Sequence, residues 1–232
     1  MNRNEPAAPT RLERLAWPAV VEHLRSSPRL LMAVGSCVQH GPHLPLGTDT
    51  LIAERLAEDV AARTGLLLAP TFSFGVTSRR DREFAGTAAL DRKTLHRVLN
   101  EFVESWERHG LQEIVFLTAN GHPRHIQALA MVVAERVRVR SIDLHAFDLR
   151  QFLSGASRPD HGGELETSLM LHLAPDLVRC EAIPAADEPE QGAARRRPGP
   201  LGAGGRPWLA SAEKGRRIHA HLVETITRRL AG

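Results

Sequence analysis

The chain has 232 residues, 42% of them hydrophobic, a formal charge of +3 and two cysteines, Cys37 and Cys180. That length suits one large α/β domain or at most two small ones, and the apolar fraction is enough for a sizeable core. No run approaches the roughly 18 apolar residues of a membrane span, the start lacks a secretory apolar stretch, and two distant cysteines make no disulfide framework, so a cytoplasmic protein is expected.

Residues 1–12 are expected to be flexible. Leu30 to Val34 is a short apolar run bounded by turn signals and reads as a buried strand. A Gly/Pro-rich loop from Gly35 to Asp49 follows, and then a helix over residues 50–63, with Leu51, Ile52, Leu56 and Val60 on one stripe. Leu66 to Ala69 is a second strand. Leu95, Val98, Leu99, Phe102, Val103 and Trp106 mark a second helix, with Asp91 and Thr94 as its cap and first turn and His109-Gly110 as its stop. Ile114 to Thr118 is a third strand. The stripe Ile126, Leu129, Met131, Val132, Val133, Val137 predicts a third helix, and Ser141 to Leu144 a fourth strand.

Glu164 to Leu173 reads as a further helix. From Glu181 to Pro207 the pattern dissolves into Ala, Pro, Gly, Glu and Arg, a long surface excursion. A last helix, about residues 210–230, places Ile218, Leu222, Ile226 and Leu230 on one face. The whole chain, 1–232, is read as a single domain. Such alternation implies an α/β fold: a mostly parallel sheet with helices on both faces and ligands gathered beyond the C-terminal strand ends.

The charge is nearly balanced, and almost all the cations are arginine; lysine occurs only at Lys93 and Lys214. The one basic cluster, Arg195-Arg196-Arg197, has no interleaved aromatics and reads as a solvated loop. Neither nucleic acid nor a membrane is expected as a partner.

Four places carry metal-ligand chemistry. His40 and Asp49, with His43 nearby, lie in the first loop. Asn120-Gly121-His122 follows the third strand. Asp160-His161-Gly162-Gly163-Glu164-Leu165-Glu166-Thr167-Ser168 opens a helix. Asp143-Leu144-His145 closes the fourth strand. Imidazole and carboxylate are the usual partners of Zn, Fe or Mn. Each place also has a plainer reading. A histidine after a strand is commonly a hydrogen-bonded loop residue, and first-turn acids are favoured by the helix dipole alone. Glu164 reads as an exposed first-turn acid, kept as a second proton-handling candidate because it neighbours His161. Cys37 reads as a small residue at a strand end, with a ligand or nucleophile role open.

Taken together, Gly35-Ser36-x-x-Gln39-His40-Gly41-Pro42-His43-Leu44-Pro45-Leu46-Gly47-Thr48-Asp49, Phe84-Ala85-Gly86-Thr87, Asn120-Gly121-His122 and His161-Gly162-Gly163-x-x-Glu166-Thr167-Ser168 resemble the signature blocks of the creatininase (creatinine amidohydrolase) family. The resemblance covers about residues 17–180. A tail through Gly199-Pro200-Leu201-Gly202 and Ala212-Glu213-Lys214-Gly215-Arg216-Arg217 is similar too. The resemblance implies a metal-dependent amidohydrolase of Rossmann-like three-layer α/β fold, with a mostly parallel sheet and helices on both faces, that assembles as a homo-oligomer, commonly a hexamer. His40, Asp49, His122 and Glu166 are then the implied metal ligands. His161 is the implied proton-transfer residue, with Glu164 a weaker second, and activated water attacks an amide carbon.

Three departures stand against the family pattern. Val38 occupies a position where the family carries a glutamate ligand, and valine offers no donor. After Asn120-Gly121-His122 come Pro123, Arg124 and His125 instead of Gly-Gly-Asn or a glutamate. At roughly 4 Å and an effective dielectric near 20, a guanidinium opposes each unit of cation charge by about 4 kcal/mol. The family's Gly-x-Ser-x-Glu-His segment is replaced by Gly75 to Glu83, carrying Arg79, Arg80 and Arg82. These arginines either bind a carboxylate or phosphate or form a solvated loop.

One divalent ion per chain is therefore expected, rather than two. The first reading is a hydrolase of a peptide or small cyclic amide in a peptide-derived natural-product pathway. The second is an inactive binding chain or a partner subunit of an intact homologue. The third is metal-free chemistry through Cys37 or His161.

Overall fold

The computed structural model describes residues 8–154, 161–185 and 202–231. Four parallel strands form the sheet: β1 (Arg29–Ala33), β2 (Leu67–Leu68), β3 (Glu113–Thr118) and β4 (Arg138–Asp143), in the order β2-β1-β3-β4. β1 pairs with β3 from Arg29↔Glu113 to Ala33↔Leu117, and β3 with β4 from Glu113↔Arg138 to Thr118↔Asp143. Six α-helices are described: α1 (Trp17–Ser26), α2 (Thr48–Thr64), α3 (Arg92–Glu107), α4 (Pro123–Ala130), α5 (Glu164–Leu173) and α6 (Ala212–Ala231).

Alternate strand residues face opposite sides of the sheet, which makes two cores. Leu31, Ala33, Leu68, Val115 and Leu117 pack with Ile52, Leu56 and Val60 of α2, Leu165 and Leu169 of α5, and Ile218, Leu222 and Ile226 of α6. Leu30, Met32, Val34, Leu67, Ile114 and Phe116 pack with Leu24 of α1, Leu95, Leu99 and Val103 of α3, and Ala128 and Leu129 of α4. This is the expected three-layer α/β arrangement. α5 and α6 cross closely at Gly215, where a Cβ would collide with the Ser168 carbonyl.

Several local expectations need correction. α1 was not read from the sequence. α4 stops at Ala130, with Met131 as its C-cap, well short of Val137. Val132 and Val137 are buried, but from irregular chain returning to β4, while Met131 and Val133 are exposed. Apolar residues that serve the core from a loop mimic a helical stripe. β4 begins at Arg138, three residues before the apolar run that marked it. Within the segment expected to be flexible, Arg11 bridges Leu68, and the Thr10 carbonyl accepts the Leu68 N–H. Of the surface excursion, residues 186–201 lie outside the described residues, and with them Arg195-Arg196-Arg197. So does Asp160. No helix among the described residues is long and apolar enough to cross a membrane.

Candidate metal centre

β1 ends under the centre of the sheet, and the loop after it runs along the C-terminal strand edge into α2. Gly35 lets this loop pass directly over α2, since a Cβ there would collide with Thr50. Ser36 thereby reaches Asp49 in the first turn of α2 and donates its hydroxyl to Oδ2 at 2.5 Å. Asp49 Oδ1 lies 3.0 Å from His40 Nε2.

His40 is fixed from its other side. Its Nδ1 is 2.8 Å from the Val38 carbonyl, which can only accept, so Nδ1 carries the hydrogen. In the neutral ring Nε2 then presents a lone pair, aimed at Asp49 and, at 3.9 Å, at Glu166 Oε2. A lone pair facing two carboxylates is stable only with a positive species between them, either a proton or a metal cation. His40, Asp49 and Glu166 are only 1%, 4% and 3% exposed, so water screens this charge poorly. Burial opposes a charge on His40, but the Asp49 and Glu166 carboxylates outweigh it and raise its pKa. Burial likewise opposes the Asp49 carboxylate, and His40 with the Ser36 hydroxyl holds its pKa down.

Glu166 arrives from the first turn of α5. The Gly162 N–H donates to its Oε2 at 2.6 Å. Gly162 has φ +64°, and its Cα packs on the His40 carbonyl, where a Cβ would come within 2.8 Å. His161 lies beside His40, with ring centroids 4.3 Å apart, and its Nε2 meets the Gln39 carbonyl at 2.6 Å. Among the described residues, His40, His161 and Glu166 can place one donor atom each within 4.8 Å of one another, a possible metal-ligand triad. Asp49 joins them through His40. His40, Asp49 and Glu166 fit a divalent cation such as zinc, as one neutral imidazole with a fixed tautomer and two oriented carboxylates, while His161 Nε2 is committed to the Gln39 carbonyl.

The other expected residues are placed differently. His122 is the N-cap residue of α4 and falls outside that group of three. It lines a separate cleft with Arg79, Arg82 and Arg124. Burial lowers its pKa; Asp81 opposes this, while Arg124, His161 and Arg82 add to it. Glu164 is buried rather than exposed. It accepts from Lys214 Nζ at 2.6 Å and from the Ser154 N–H at 2.8 Å, tying the start of α5 to α6. His43 is buried against Thr167 Oγ1 at 2.9 Å. His145 meets the Ala119 carbonyl at 2.8 Å. Cys37 is half-buried with Sγ 3.7 Å from the Gly86 carbonyl, and the Val38 side chain is buried.

Sequence reasoning missed Gln39 and Asp81. Gln39 Nε2 donates to Asp81 Oδ1 (2.8 Å) and to the Gly202 carbonyl (3.0 Å), while its Oε1 accepts the Gly41 N–H. Asp81 Oδ2 also accepts from Ser78 (2.6 Å) and Thr77 (3.1 Å). Farther along the chain, the Gly204 N–H donates to the His161 carbonyl at 2.6 Å. These contacts lock the His40 loop to the segment before α3 and to the chain leading into α6. Only the position of Gln39 beside His40 hinted at such a role.

Comparisons with known proteins converge. The family model described as creatinine amidohydrolase matches residues 13–230. The chain is 35% identical over 225 residues to the mycofactocin precursor peptide peptidase of Mycobacterium ulcerans (strain Agy99), covering 88% of this chain and 85% of the relative. A solved structure described as creatininase Mn superposes with TM-score 0.81 at 26% identity, covering 96% of this chain and 97% of that one. A mutant creatininase of Zn-Zn type gives TM-score 0.80 at 26% identity over 97% and 98%.

Proposed function

The chain belongs to the creatinine amidohydrolase (creatininase) family, and from that premise we propose that it hydrolyses a C–N amide bond of a peptide or small amide, using one bound divalent ion. The observation that carries this reading is the His40 ring, locked by Val38 on one side and aimed at Asp49 and Glu166 on the other. We assign the ion to His40, Asp49 and Glu166. It would supply Lewis acidity toward the scissile carbonyl and acidify water. His161 is assigned to proton transfer: it sits beside the three buried groups but is itself partly exposed, so it can reach both the site and water. Zinc and manganese are the favoured ions, since creatininase structures described with each share this fold. A peptide is the favoured substrate, given the relative's name.

The test is metal content and peptide truncation. Purified chain reconstituted with Zn or Mn should hold about one ion per chain and shorten candidate peptides by mass spectrometry. His40→Ala should lose the ion. His161→Gln should keep it and lose turnover. A chain left metal-free after reconstitution would overturn the reading.

One observation favours a second reading, a binding chain without turnover. Val38 places a buried apolar side chain where the resemblance calls for a carboxylate, and Arg124 adds positive charge near the strand ends. Under that reading the reconstituted protein binds peptide but never truncates it.

A further inference from the structure

Beside the candidate metal centre lies a cavity of about 570 Å3, lined by Val76, Thr77, Ser78, Asp91, His122 and the guanidinium-bearing Arg79, Arg82 and Arg124. The arginines come from two separate segments: Arg79 and Arg82 from the chain before α3, Arg124 from the first turn of α4. Among the described residues none of the three has a carboxylate within ion-pair distance. Arg82 is oriented by donating Nη2 to the Leu90 carbonyl at 2.8 Å. The single lining carboxylate, Asp91, is occupied as a helix cap: Oδ1 accepts the Thr94 N–H and Oδ2 the Thr94 hydroxyl, both at 2.9 Å. His122 Nδ1 is buried and has no hydrogen-bond partner among the described residues.

The cleft wall is built to hold its shape. Asn120 Nδ2 donates to the Val76 carbonyl at 3.2 Å, and its Oδ1 accepts the His122 N–H at 2.9 Å. The Thr77 and Ser78 hydroxyls are anchored on Asp81. Asp81 is joined through Gln39 to His161, so the cleft and the metal centre share a wall. Three guanidinium groups facing one committed carboxylate leave the cavity strongly positive. Guanidinium forks match the two oxygens of a carboxylate or phosphate.

We propose that this cleft is an oxyanion-binding subsite that takes a carboxylate or phosphate group carried by the ligand. The proposal rests on the hydrolase reading only in making that ligand the substrate, whose amide then lies toward His40 and Glu166. Binding of the anion itself needs no metal.

The experiment uses the full chain stripped with EDTA, so that it is independent of turnover. Calorimetry compares a short acetylated dipeptide with a free carboxylate against the same dipeptide as its amide, and tests inorganic phosphate as a competitor. The free acid should bind about tenfold or more tightly than the amide, as expected for losing charge-assisted hydrogen bonds. Arg79→Gln with Arg124→Gln should abolish that preference while the melting temperature holds, and Arg79→Lys with Arg124→Lys should restore it in part. Phosphate binding that the double variant loses, with the free acid ignored, keeps the subsite and assigns it to a phosphorylated ligand. Equal binding of acid and amide without phosphate binding, or a preference unchanged in the double variant, overturns it. Failure of peptide truncation by the metal-loaded chain would count against the hydrolase reading alone.

Discussion

The His40 side and the Arg124 side of the strand edge are built on opposite plans. Around His40 the short side chains of Asp49, Glu166 and Ser36 are buried, and each is held by a neighbour. Around Arg124 the long guanidinium side chains are exposed and lack carboxylate partners, although the backbone beneath them is firmly held. A cation requires donors already in place, because its ligands repel one another until it arrives. An anion presented by a substrate can be met by flexible arms that close on it. The contrast teaches that a rigid and an adaptable arrangement coexist across a single hydrogen-bonded wall, Gln39–Asp81.

The sharpest way to break this contrast is to loosen the rigid side. Asp49→Ala removes the acceptor of the Ser36 hydroxyl and one of the two carboxylates facing His40 Nε2, and should lower metal affinity and turnover by about 100-fold. Metal analysis with activity assays checks it; an unchanged stoichiometry would move the centre elsewhere. Val38→Glu should destabilise the metal-free chain by about 3 kcal/mol, because a carboxylate replaces a buried apolar group. Added zinc should reverse much of that loss in thermal melts, if the scaffold lacks only a donor.

Acid sharpens the comparison from the other side. His125 lies beneath the cleft, with Nδ1 accepting the Val76 N–H at 3.2 Å and Nε2 at 3.0 Å from Thr118 Oγ1. Burial pushes its pKa down to about 4, with Asp49 opposing and His122 assisting. Its folded pKa is below the unfolded value, so the unfolded chain takes up the proton first. Its neutral-ring stability is whole above pH ~6.5 and is lost as the pH falls toward 4, by up to about 3 kcal/mol. Melting temperature against pH, with His125→Asn as the flattened control, measures it. The smallest effect is expected at Glu164. Glu164→Gln should cost about 1 kcal/mol of stability by removing the charge opposite Lys214, whose ammonium keeps the Ser154 hydroxyl and the Leu209 carbonyl, with turnover per folded molecule unchanged. Lost turnover at an unchanged melting temperature would instead give Glu164 a part in proton handling.

The layers of the fold were legible because parallel strands covered on both faces read as continuous apolar runs such as Leu30 to Val34 and Ile114 to Thr118. The overrun of α4 was not avoidable from periodicity, since Val132 and Val137 reach the core without being helical. Within the site, His40, Asp49, His161 and Glu166 stood out because each lies in a glycine-rich block. Gln39 and Asp81 did not, since their role depends on three segments meeting in space. The arginine cleft is half visible: Arg79, Arg80 and Arg82 share one segment and Arg124 follows His122, but only the fold brings Arg79, Arg82 and Arg124 to one cavity.

Gly202 and Gly204 have a consequence for how the protein is made. They contact Gln39 and His161 from a stretch that is synthesised after every candidate ligand. A nascent chain still tethered near residue 190 holds all the candidate ligand side chains but none of these clasps. Closing of the candidate site should thus await the synthesis of this stretch and of α6, and a chain terminated there, lacking Ile218, Leu222 and Ile226, should leave one face of the sheet uncovered and the site open.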